Sequence, residues 1–318
     1  MLKRPLGKTG LDIAPLVLGG NVFGWTADEK TSFSVLDAFV DSGFNAIDTA
    51  DVYSSWAPGN KGGESEVIIG NWLKSRPGLR DKVVIFTKVG SDLGIPGKKG
   101  LSEKWILQAA DESLARLKTD VIDLYFSHWP DNTPHEETLG AYDKLLKAGK
   151  IRSIGASNFS AEQLGEALAV AKDKALPAYQ VLQPGYNLYD RAEFDGALRD
   201  LCIEEDIGVV TYYSLASGFL SGKYRSEADL GKSQRGKGAA KYLTPRGLAI
   251  LDALDAVSAG HAVEPAEVAL AWLIARKGVT APIASATSVA QVESFAKAAD
   301  LKLSEADIAV LDKASAAG

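Results

Sequence analysis

The sequence predicts a (β/α)8 barrel, the TIM-barrel architecture, with an N-terminal β-hairpin closing the barrel floor. Eight short apolar runs typical of buried strands alternate with amphipathic stretches along most of the 318-residue chain. Right-handed crossovers bring each strand back parallel to the previous one, so eight such units can close on themselves. The segment KRPLGKTGLDIAP before the first run is typical of a hairpin. Since no linker interrupts the alternation, we expect residues 1–318 to form a single barrel domain.

The eight predicted strands are apolar runs bounded by turn-forming residues. In order, they are APLVLGG (14–20), FNAIDTA (44–50), KVVIFTK (82–88), VIDLYFSHW (121–129), IRSIGAS (151–157), AYQVLQ (178–183), IGVVTYY (207–213) and APIASA (281–286). Several helical stretches open with a hydroxyl residue followed three positions later by Glu, Gln or Asp, which predicts a capping box. These pairs are Thr26 with Glu29, Thr133 with Glu136, Ser160 with Gln163, Ser288 with Gln291 and Ser304 with Asp307.

Composition excludes several classes of protein. A net charge of −6 argues against a nucleic-acid binder, which needs a basic face. No signal-peptide-like segment or run of about 18 apolar residues occurs, so we expect neither export nor a membrane partner. A lone cysteine, Cys202, excludes an internal disulfide and favours a cytoplasmic location. It also leaves no thiolate cluster, and His135 lacks zinc-site spacing, so no metal is predicted.

Loop lengths indicate which end of the barrel carries the active site. Turns from helix to strand are short, as in SGF (42–44) and AGK (148–150). Segments from strand to helix are long, notably 54–63, 90–100 and 214–243. In (β/α)8 barrels, the active site lies at the C-terminal strand ends, where these loops gather.

Four ionisable residues fall at that end of neighbouring strands. Asp48 and Tyr53 end and follow the second strand, Lys88 ends the third, and His128 lies at the end of the fourth. Singly, each has an ordinary explanation: a turn cap for Asp48, a solvated lysine for Lys88 and a core histidine for His128. Together they predict a proton-transfer site, in which an ammonium held by a carboxylate lowers the pKa of the phenol.

The same pattern leaves some roles open. Asp51 is a competing carboxylate, which we interpret as a turn residue. Lys88 could instead be the nucleophile of a Schiff-base enzyme. Trp25, Trp56 and Trp129 follow strands one, two and four, and they could line an apolar or sugar-stacking substrate pocket or simply pack at the rim.

Four motifs, in order along the chain, resemble those of the aldo-keto reductases. They are DTADVY (48–53), SHWPD (127–131), GASNFS (155–160) and YYSLASGFLSGKY (212–224). The resemblance covers essentially the whole chain. It implies an oxidoreductase that reduces an aldehyde or ketone with a catalytic tetrad of Asp48, Tyr53, Lys88 and His128. It also implies a nicotinamide cofactor bound without a Rossmann fingerprint, and no G-x-G-x-x-G follows a strand. A nucleotide-sensing regulator related to the channel β-subunits of the superfamily is the alternative.

The resemblance also implies which residues contact the cofactor. Ser157, Asn158 and Gln183 correspond to residues that bind the carboxamide, and Tyr212, with Tyr213 as the alternative, to the tyrosine stacked on the nicotinamide. Ser214, Leu215, Ser217, Gly218 and Lys223 would form the loop over the pyrophosphate.

Two stretches of the sequence give opposing indications of the preference between NADPH and NADH. Many NADP-preferring members carry Lys or Arg where this chain has ASATSVAQ (284–291), which offers Ser285, Thr287 and Gln291. The segment 223–246, however, has seven basic residues against two acids. We expect NADPH, with NADH as the alternative. No oligomeric state is predicted.

Overall fold

The computed structural model describes residues 1–316 and contains a closed barrel of eight parallel strands. The barrel strands are β3 (Val17–Gly19), β4 (Ala46–Asp48), β5 (Val84–Val89), β6 (Ile122–Ser127), β7 (Ile151–Ser157), β8 (Val181–Gln183), β9 (Gly208–Thr211) and β10 (Ala281–Ala284), following the two-residue strands β1 (Arg4–Pro5) and β2 (Asp12–Ile13). Each barrel strand pairs with the next in the chain, and β10 pairs with β3 to close the ring. The predicted (β/α)8 barrel is confirmed.

Helices surround the barrel and cover its outer surface. They are α1 (Glu29–Asp41), α2 (Glu64–Ser75), α3 (Glu103–Leu117), α4 (His135–Lys147), α5 (Ala161–Lys174), α6 (Ala197–Glu204), α7 (Gly236–Ala239), α8 (Pro245–His261), α9 (Pro265–Ala275), α10 (Val289–Asp300) and α11 (Glu305–Ser315). A large apolar layer lies between strands and helices, and it includes the fully buried Trp72 and Trp272. Strands covered on both faces are near-continuous apolar runs, which explains why the sequence pattern locates them well.

The N-terminal hairpin closes the floor of the barrel, as predicted. Leu6 and Ile13 pack among the inward-facing side chains of the strands, including Phe86 and Phe126. Gly7 follows Leu6 in a left-handed conformation, and a β-carbon on it would lie 2.4 Å from the backbone nitrogen of Gly208. Glycine is therefore required where the hairpin meets the barrel wall.

Two of the five predicted capping boxes form. Ser160 caps α5 with Gln163, and Ser304 caps α11 with Asp307. The Thr26 prediction is wrong because Asp28 caps α1 by accepting a hydrogen bond from the N–H of Thr31.

The other two predicted boxes are also wrong. Pro134 occupies the N-cap position of α4, and the Thr133 hydroxyl donates to Asp131 instead. Ser288 is the N-cap of α10, but its side chain makes no capping hydrogen bond. The Gln291 side chain bonds to the N–H of Thr287, not to that of Ser288.

Candidate active site

The four predicted proton-transfer residues lie together at the C-terminal end of the barrel. Asp48 is the last residue of β4, Lys88 lies near the end of β5, and His128 directly follows β6. Tyr53 lies in the turn after β4, and the backbone N–H of His128 donates to the carbonyl of Val89 at 2.8 Å. Parallel pairing aligns the three strand ends, so residues 40 or more positions apart in sequence become neighbours.

Asp48, Lys88 and Tyr53 form a closed triangle of hydrogen bonds. Lys88 Nζ donates to Asp48 Oδ2 at 2.8 Å, to Tyr53 Oη at 2.8 Å and to the carbonyl of Thr49 at 2.7 Å. The Tyr53 hydroxyl donates to Asp48 Oδ2 at 3.0 Å. Lys88 is fully buried. All three ammonium hydrogens have acceptors, so the lysine is fixed in position.

The direction of the Tyr53 pKa differs from the sequence prediction. Desolvation, followed by the nearby Asp48 carboxylate, raises the pKa of Tyr53 well above its usual value. The expectation of a lowered phenol pKa is wrong because burial disfavours the phenolate and because the hydroxyl donates to Asp48, which stabilises the protonated form. Burial lowers the pKa of Lys88, an effect opposed by Asp48. Tyr53 therefore holds its proton at neutral pH.

His128 is a neutral imidazole beside the triangle. Burial, and then the charge of Lys88, hold the pKa of His128 well below its usual range. Its Nδ1 lies 2.9 Å from the hydroxyl of Ser91, and its ring centroid lies 6.1 Å from that of Tyr53. Ser91 was not identified from the sequence, since nothing marks it apart from its position two residues after β5.

The residues predicted to bind a carboxamide lie at the same C-terminal end of the barrel. Ser157 ends β7, Gln183 ends β8, and Asn158 has a left-handed backbone with φ of 64°. Gln183 Nε2 donates to Asp48 Oδ1 at 2.9 Å, and the Ser157 hydroxyl donates to the carbonyl of Gln183 at 2.9 Å. Asn158 Nδ2 donates to the carbonyl of His128 at 2.9 Å. These bonds connect the amide side chains directly to the proton-transfer residues.

Tyr212 and Tyr213 occupy different environments. Tyr212 directly follows β9 and donates a 2.6 Å hydrogen bond to the side-chain carbonyl of Asn158. Its ring covers Gly185, where a β-carbon would come within 3.2 Å of the phenol. Tyr213 has 51% of its surface exposed and a φ of 56°. Tyr212 is thus the tyrosine that lies beside the amide side chains.

The loop after β9 contains a tight left-handed turn, which we call the cradle. Ala216, Ser217 and Gly218 have consecutive left-handed backbones, with φ of 48°, 58° and 88°. The N–H groups of Ala216 and Gly218 donate to the carbonyls of Tyr213 and Leu215. A β-carbon on Gly218 would lie 3.4 Å from Lys223 Nζ, so an ammonium flanks the turn. Ser214 and Leu215 lie directly before it, with the Ser214 side chain bonded to the carbonyl of Thr211. Binding of a pyrophosphate by this loop stays a prediction.

Several cations of the 223–246 segment have no acidic partner. Arg225 pairs with Asp255, and Lys232 pairs with Asp229, each at 2.7 Å. Among residues 1–316, no carboxylate lies within ion-pairing distance of four others, namely Lys223, Arg235, Lys237 and Lys241. The short helix α7 packs against the left-handed turn, with Gly238 close to the Ser217 hydroxyl. The unpaired Lys223 and the helix α7, which carries Lys237, thus lie beside the cradle.

The stretch 284–291 lies at the start of α10. The Ser285 hydroxyl bonds to the side chain of Asn21, and the Thr287 hydroxyl and N–H both bond to the Gln291 side chain. Ser288, the N-cap residue, makes no side-chain hydrogen bond to the first turn. Within residues 1–316, the first N–H groups of this 12-residue helix are therefore not capped by a side chain. A helix N-terminus of this kind favours a phosphate even without a basic side chain.

The three predicted tryptophans flank the proton-transfer residues. Trp25 and Trp56 meet edge to face at 5.8 Å between ring centroids, and Trp56 lies 6.0 Å from Tyr53. Trp129 stacks on His128 at 6.0 Å. Trp56 and Trp129 are about half exposed, at 48% and 50%. These rings form an open aromatic rim around the Tyr53 hydroxyl.

No cluster of three or more His, Cys, Asp or Glu side chains suited to a metal ion occurs in residues 1–316. Over the same residues, no helix combines the length and apolar character needed to cross a membrane.

The chain is similar in sequence to several known proteins. It is 69% identical over 93 residues to an uncharacterised 11.2 kDa protein of Pseudescherichia vulneris, covering 29% of this chain and 90% of that protein. It is 35% identical over 317 residues to the uncharacterised oxidoreductase YrpG of Bacillus subtilis, covering 96% and 94%. It is 33% identical over 309 residues to a probable voltage-gated potassium channel subunit beta of Arabidopsis thaliana, covering 95% and 92%.

A family model described as "Aldo/keto reductase family" matches residues 15–316, which include every strand of the barrel. The chain therefore belongs to the aldo/keto reductase family, whose members are oxidoreductases that normally use nicotinamide cofactors.

Proposed function

We propose that the protein reduces an aldehyde or ketone to an alcohol with NADPH, and that Tyr53 is the general acid. The proposal depends above all on the position of the Tyr53 hydroxyl, which is held by Lys88 and Asp48 at the open end of the barrel. A phenol with a raised pKa keeps its proton until an alkoxide develops next to it.

In this proposal, the bound cofactor supplies a hydride to the carbonyl carbon. Tyr53 donates its proton to the carbonyl oxygen as negative charge develops there, and the Lys88 ammonium at 2.8 Å stabilises the resulting phenolate. The neutral His128 imidazole orients the carbonyl oxygen by hydrogen bonding through Nε2, while Ser91 bonds to Nδ1. Asp48 keeps the lysine charged and in place.

The cofactor would be held by the residues that lie at this end of the barrel. Ser157, Asn158 and Gln183 carry donors and acceptors suited to a carboxamide, and Tyr212 offers a ring beside them. Their present hydrogen bonds to protein groups must partly exchange when the carboxamide binds. Ser217 and Gly218, together with Ser214, Leu215 and Lys223, would receive the diphosphate.

NADPH is the favoured cofactor because positive charge without acidic partners lies beside the cradle. Lys223, Arg235, Lys237 and Lys241 are available to an added phosphate. The stretch from Ser285 to Gln291 adds hydroxyl groups and the start of α10. Since it contributes no Lys or Arg, we propose a modest preference over NADH.

The rim of Trp25, Trp56 and Trp129 supports an apolar or sugar-derived substrate. Indole rings contact apolar groups and the C–H faces of sugars equally well. Trp56 and Trp129 are about half exposed, so their rings are accessible to a small molecule. The carbonyl group would then meet Tyr53 and His128 below the rim.

One alternative function has a specific observation behind it. The similarity to a potassium channel subunit beta favours a nucleotide-sensing regulatory role as a second candidate. The Schiff-base alternative is less well supported because Lys88 is fully buried and already donates to three oxygen atoms. An amine in this state is not a free nucleophile.

The deciding experiment is oxidation of NADPH and NADH, followed by the absorbance of the reduced nicotinamide, against a panel of aldehydes, ketones and sugars. Turnover with carbonyl compounds and no covalent trapping by borohydride supports the reductase. Tight cofactor binding with no turnover on any carbonyl supports the regulatory role. Substrate-dependent trapping on Lys88 would contradict both.

A further inference from the structure

A buried cluster of charged groups extends from the proton-transfer triangle towards the helices α2 and α3. It contains three carboxyl groups, Asp48, Asp51 and Glu66, and two cations, Lys88 and Arg116. All three acids are at most 2% exposed, and Lys88 is fully buried. Charges removed from water to this degree need partners or must be neutral.

Two of the three acids form ion pairs. Asp48 pairs with Lys88 at 2.8 Å, and Glu66 pairs with Arg116 at 2.6 Å. Arg116 also lies 3.8 Å from Glu112. Glu66 accepts a 2.5 Å hydrogen bond from the Thr87 hydroxyl as well. Asp48 and Glu66 are therefore both partnered within the cluster.

Asp51 is the acid without a partner. Neither of its carboxyl oxygens makes a hydrogen bond of normal geometry within residues 1–316, although the N–H of the adjacent Val52 acts to lower the pKa of Asp51. With three acids against two cations, the cluster is electrically balanced only when Asp51 is uncharged. Burial first, and then the charge of Glu66, raise the pKa of Asp51 well above its usual value, while Arg116 and Lys88 oppose the shift. The sequence interpretation of Asp51 as a turn residue is thus incomplete: it lies in the turn, but its side chain is buried.

The backbone around Asp51 ties this cluster to Tyr53. The Asp51 N–H donates to the carbonyl of Lys88 at 3.3 Å, and the Tyr53 N–H donates to the carbonyl of Ala50 at 3.2 Å. On the other side, a β-carbon on Gly62 would lie 2.9 Å from the carbonyl of Asp51, so the following loop packs directly on the turn. A displacement of the Asp51 side chain therefore moves the turn that carries Tyr53.

We propose that Asp51 is a positioning residue for the reduction: as an uncharged acid its side chain can stay buried near Glu66 and Arg116, which keeps the turn that carries Tyr53 in place. Ionisation of Asp51 adds an uncompensated charge beside Glu66 and drives the turn away from its packed position. The inference rests on the proposed role of Tyr53 as the general acid.

The groups that face Asp51 come from four elements besides its own turn. They are Glu66 on α2, Arg116 on α3, Lys88 on β5 and Tyr125 on β6. The Tyr125 hydroxyl is also buried and has no hydrogen-bond partner within residues 1–316. Because Glu66 already pairs with Arg116 and Asp48 with Lys88, the surroundings offer Asp51 no free cation.

The charge state of Asp51 can be measured without any assay of activity. Carbon-13 NMR of protein labelled at the aspartate carboxyl carbons, assigned through the residue's own backbone, follows Asp51 through a pH titration. We expect its resonance to remain that of a protonated acid at neutral pH. A resonance that titrates in the ordinary aspartate range would overturn the proposal, whatever Tyr53 does in catalysis.

The variant Asp51→Asn then tests the effect on the reaction. The amide is uncharged and nearly isosteric, so kcat at neutral pH should stay within about threefold of the wild-type value. Wild-type kcat should fall as Asp51 ionises at alkaline pH, and the variant should retain its activity to higher pH. The control is Asp120→Asn, which removes an exposed aspartate and should leave the profile unchanged.

Thermal stability supplies a second measurement. An acid with a raised folded-state pKa contributes stability that is complete below its unfolded pKa and is lost as the pH rises through the folded value. The wild-type protein should therefore lose stability with rising pH relative to Asp51→Asn. Superimposable pH profiles for activity and stability, or loss of kcat at every pH in Asp51→Asn, would overturn the proposal. Activity that survives Tyr53→Phe would instead refute the proposed acid and leave the NMR result standing.

Discussion

The Tyr53 hydroxyl donates a hydrogen bond to the Asp48 carboxylate at 3.0 Å while it accepts one from Lys88 at 2.8 Å. The first bond stabilises the protonated phenol, and the second stabilises the phenolate that proton transfer leaves behind. A phenol held in this way is a strong candidate for an acid that gives up its proton only when a more basic oxygen develops nearby.

Replacing Tyr53 with Phe tests this role directly. We expect kcat for carbonyl reduction to fall by about 10²- to 10⁴-fold, because general acid catalysis contributes that much. Cofactor affinity should change little, since Tyr53 bonds to Asp48 and Lys88 and not to the residues proposed to hold the cofactor. Steady-state kinetics and fluorescence titration measure the two effects. A variant that retains half of the wild-type kcat would show that another group is the acid.

Replacing Lys88 with Met separates its catalytic role from its structural role. The single variant leaves the buried Asp48 carboxylate without its cation, which should destabilise the fold by about 3–5 kcal/mol as well as abolish most activity. The double variant Lys88→Met with Asp48→Asn removes the unpaired charge. It should recover much of the stability in denaturant unfolding but none of the activity. Recovery of kcat in the double variant would contradict the proposed stabilisation of the phenolate.

The sequence predicts the barrel, and the end of it that carries the candidate site, because both depend on local patterns. Strands covered on two faces are apolar throughout, and parallel pairing places their ends at one level. Asp48, Lys88 and His128 could therefore be assigned to one site from their positions at strand ends. Nothing local, however, shows how deeply Tyr53 is buried or whether its hydroxyl donates to Asp48, and the direction of its pKa depends first on the burial and then on Asp48.

The parts of the site that sequence patterns miss are contacts between different elements. The Ser91 hydroxyl reaches His128 from another strand, and Arg116 on α3 reaches Glu66 on α2 across 50 residues of sequence. Capping predictions fail for a related reason. At α1, Thr26 fits the pattern, but Asp28 lies next to the first helical residue and makes the bond.

A glycine in α2 controls how closely α2 and α3 approach behind the site. A β-carbon on Gly70 would lie 2.1 Å from the carbonyl oxygen of Arg116, so Gly70→Ala must push the helices apart. We expect a loss of about 1–3 kcal/mol in the free energy of unfolding. Gly140 in α4 is the matched control, because no neighbouring atom would lie within 4 Å of its β-carbon.

The control should behave in the opposite way. Gly140→Ala should stabilise the protein by up to about 1 kcal/mol, since alanine is the better helix former. Urea unfolding of both variants measures the difference. Equal stability of the two variants would show that α2 can move away from α3 without cost.

The preference for NADPH tests whether the unpaired cations around the cradle act on the cofactor. We expect NADPH to bind more tightly than NADH by about one to two orders of magnitude, on the order of 1.4–2.8 kcal/mol. Exposed charge pairs are worth only about 0–1 kcal/mol each and are screened by salt, so the preference should shrink as the salt concentration rises. Fluorescence titration of both cofactors at low and high salt measures it.

Two variants distinguish an unpaired cation from a paired one in the same segment. Arg235→Gln removes a guanidinium that has no acidic partner within residues 1–316, and it should reduce the NADPH preference. Lys232→Gln removes the same charge from a lysine already paired with Asp229, and it should have a smaller effect. Because both variants change the net charge equally, a difference between them reports direct contact with the phosphate and not the overall field. Equal affinities for NADPH and NADH in the wild-type protein at low salt would show that the segment is only a solvated surface.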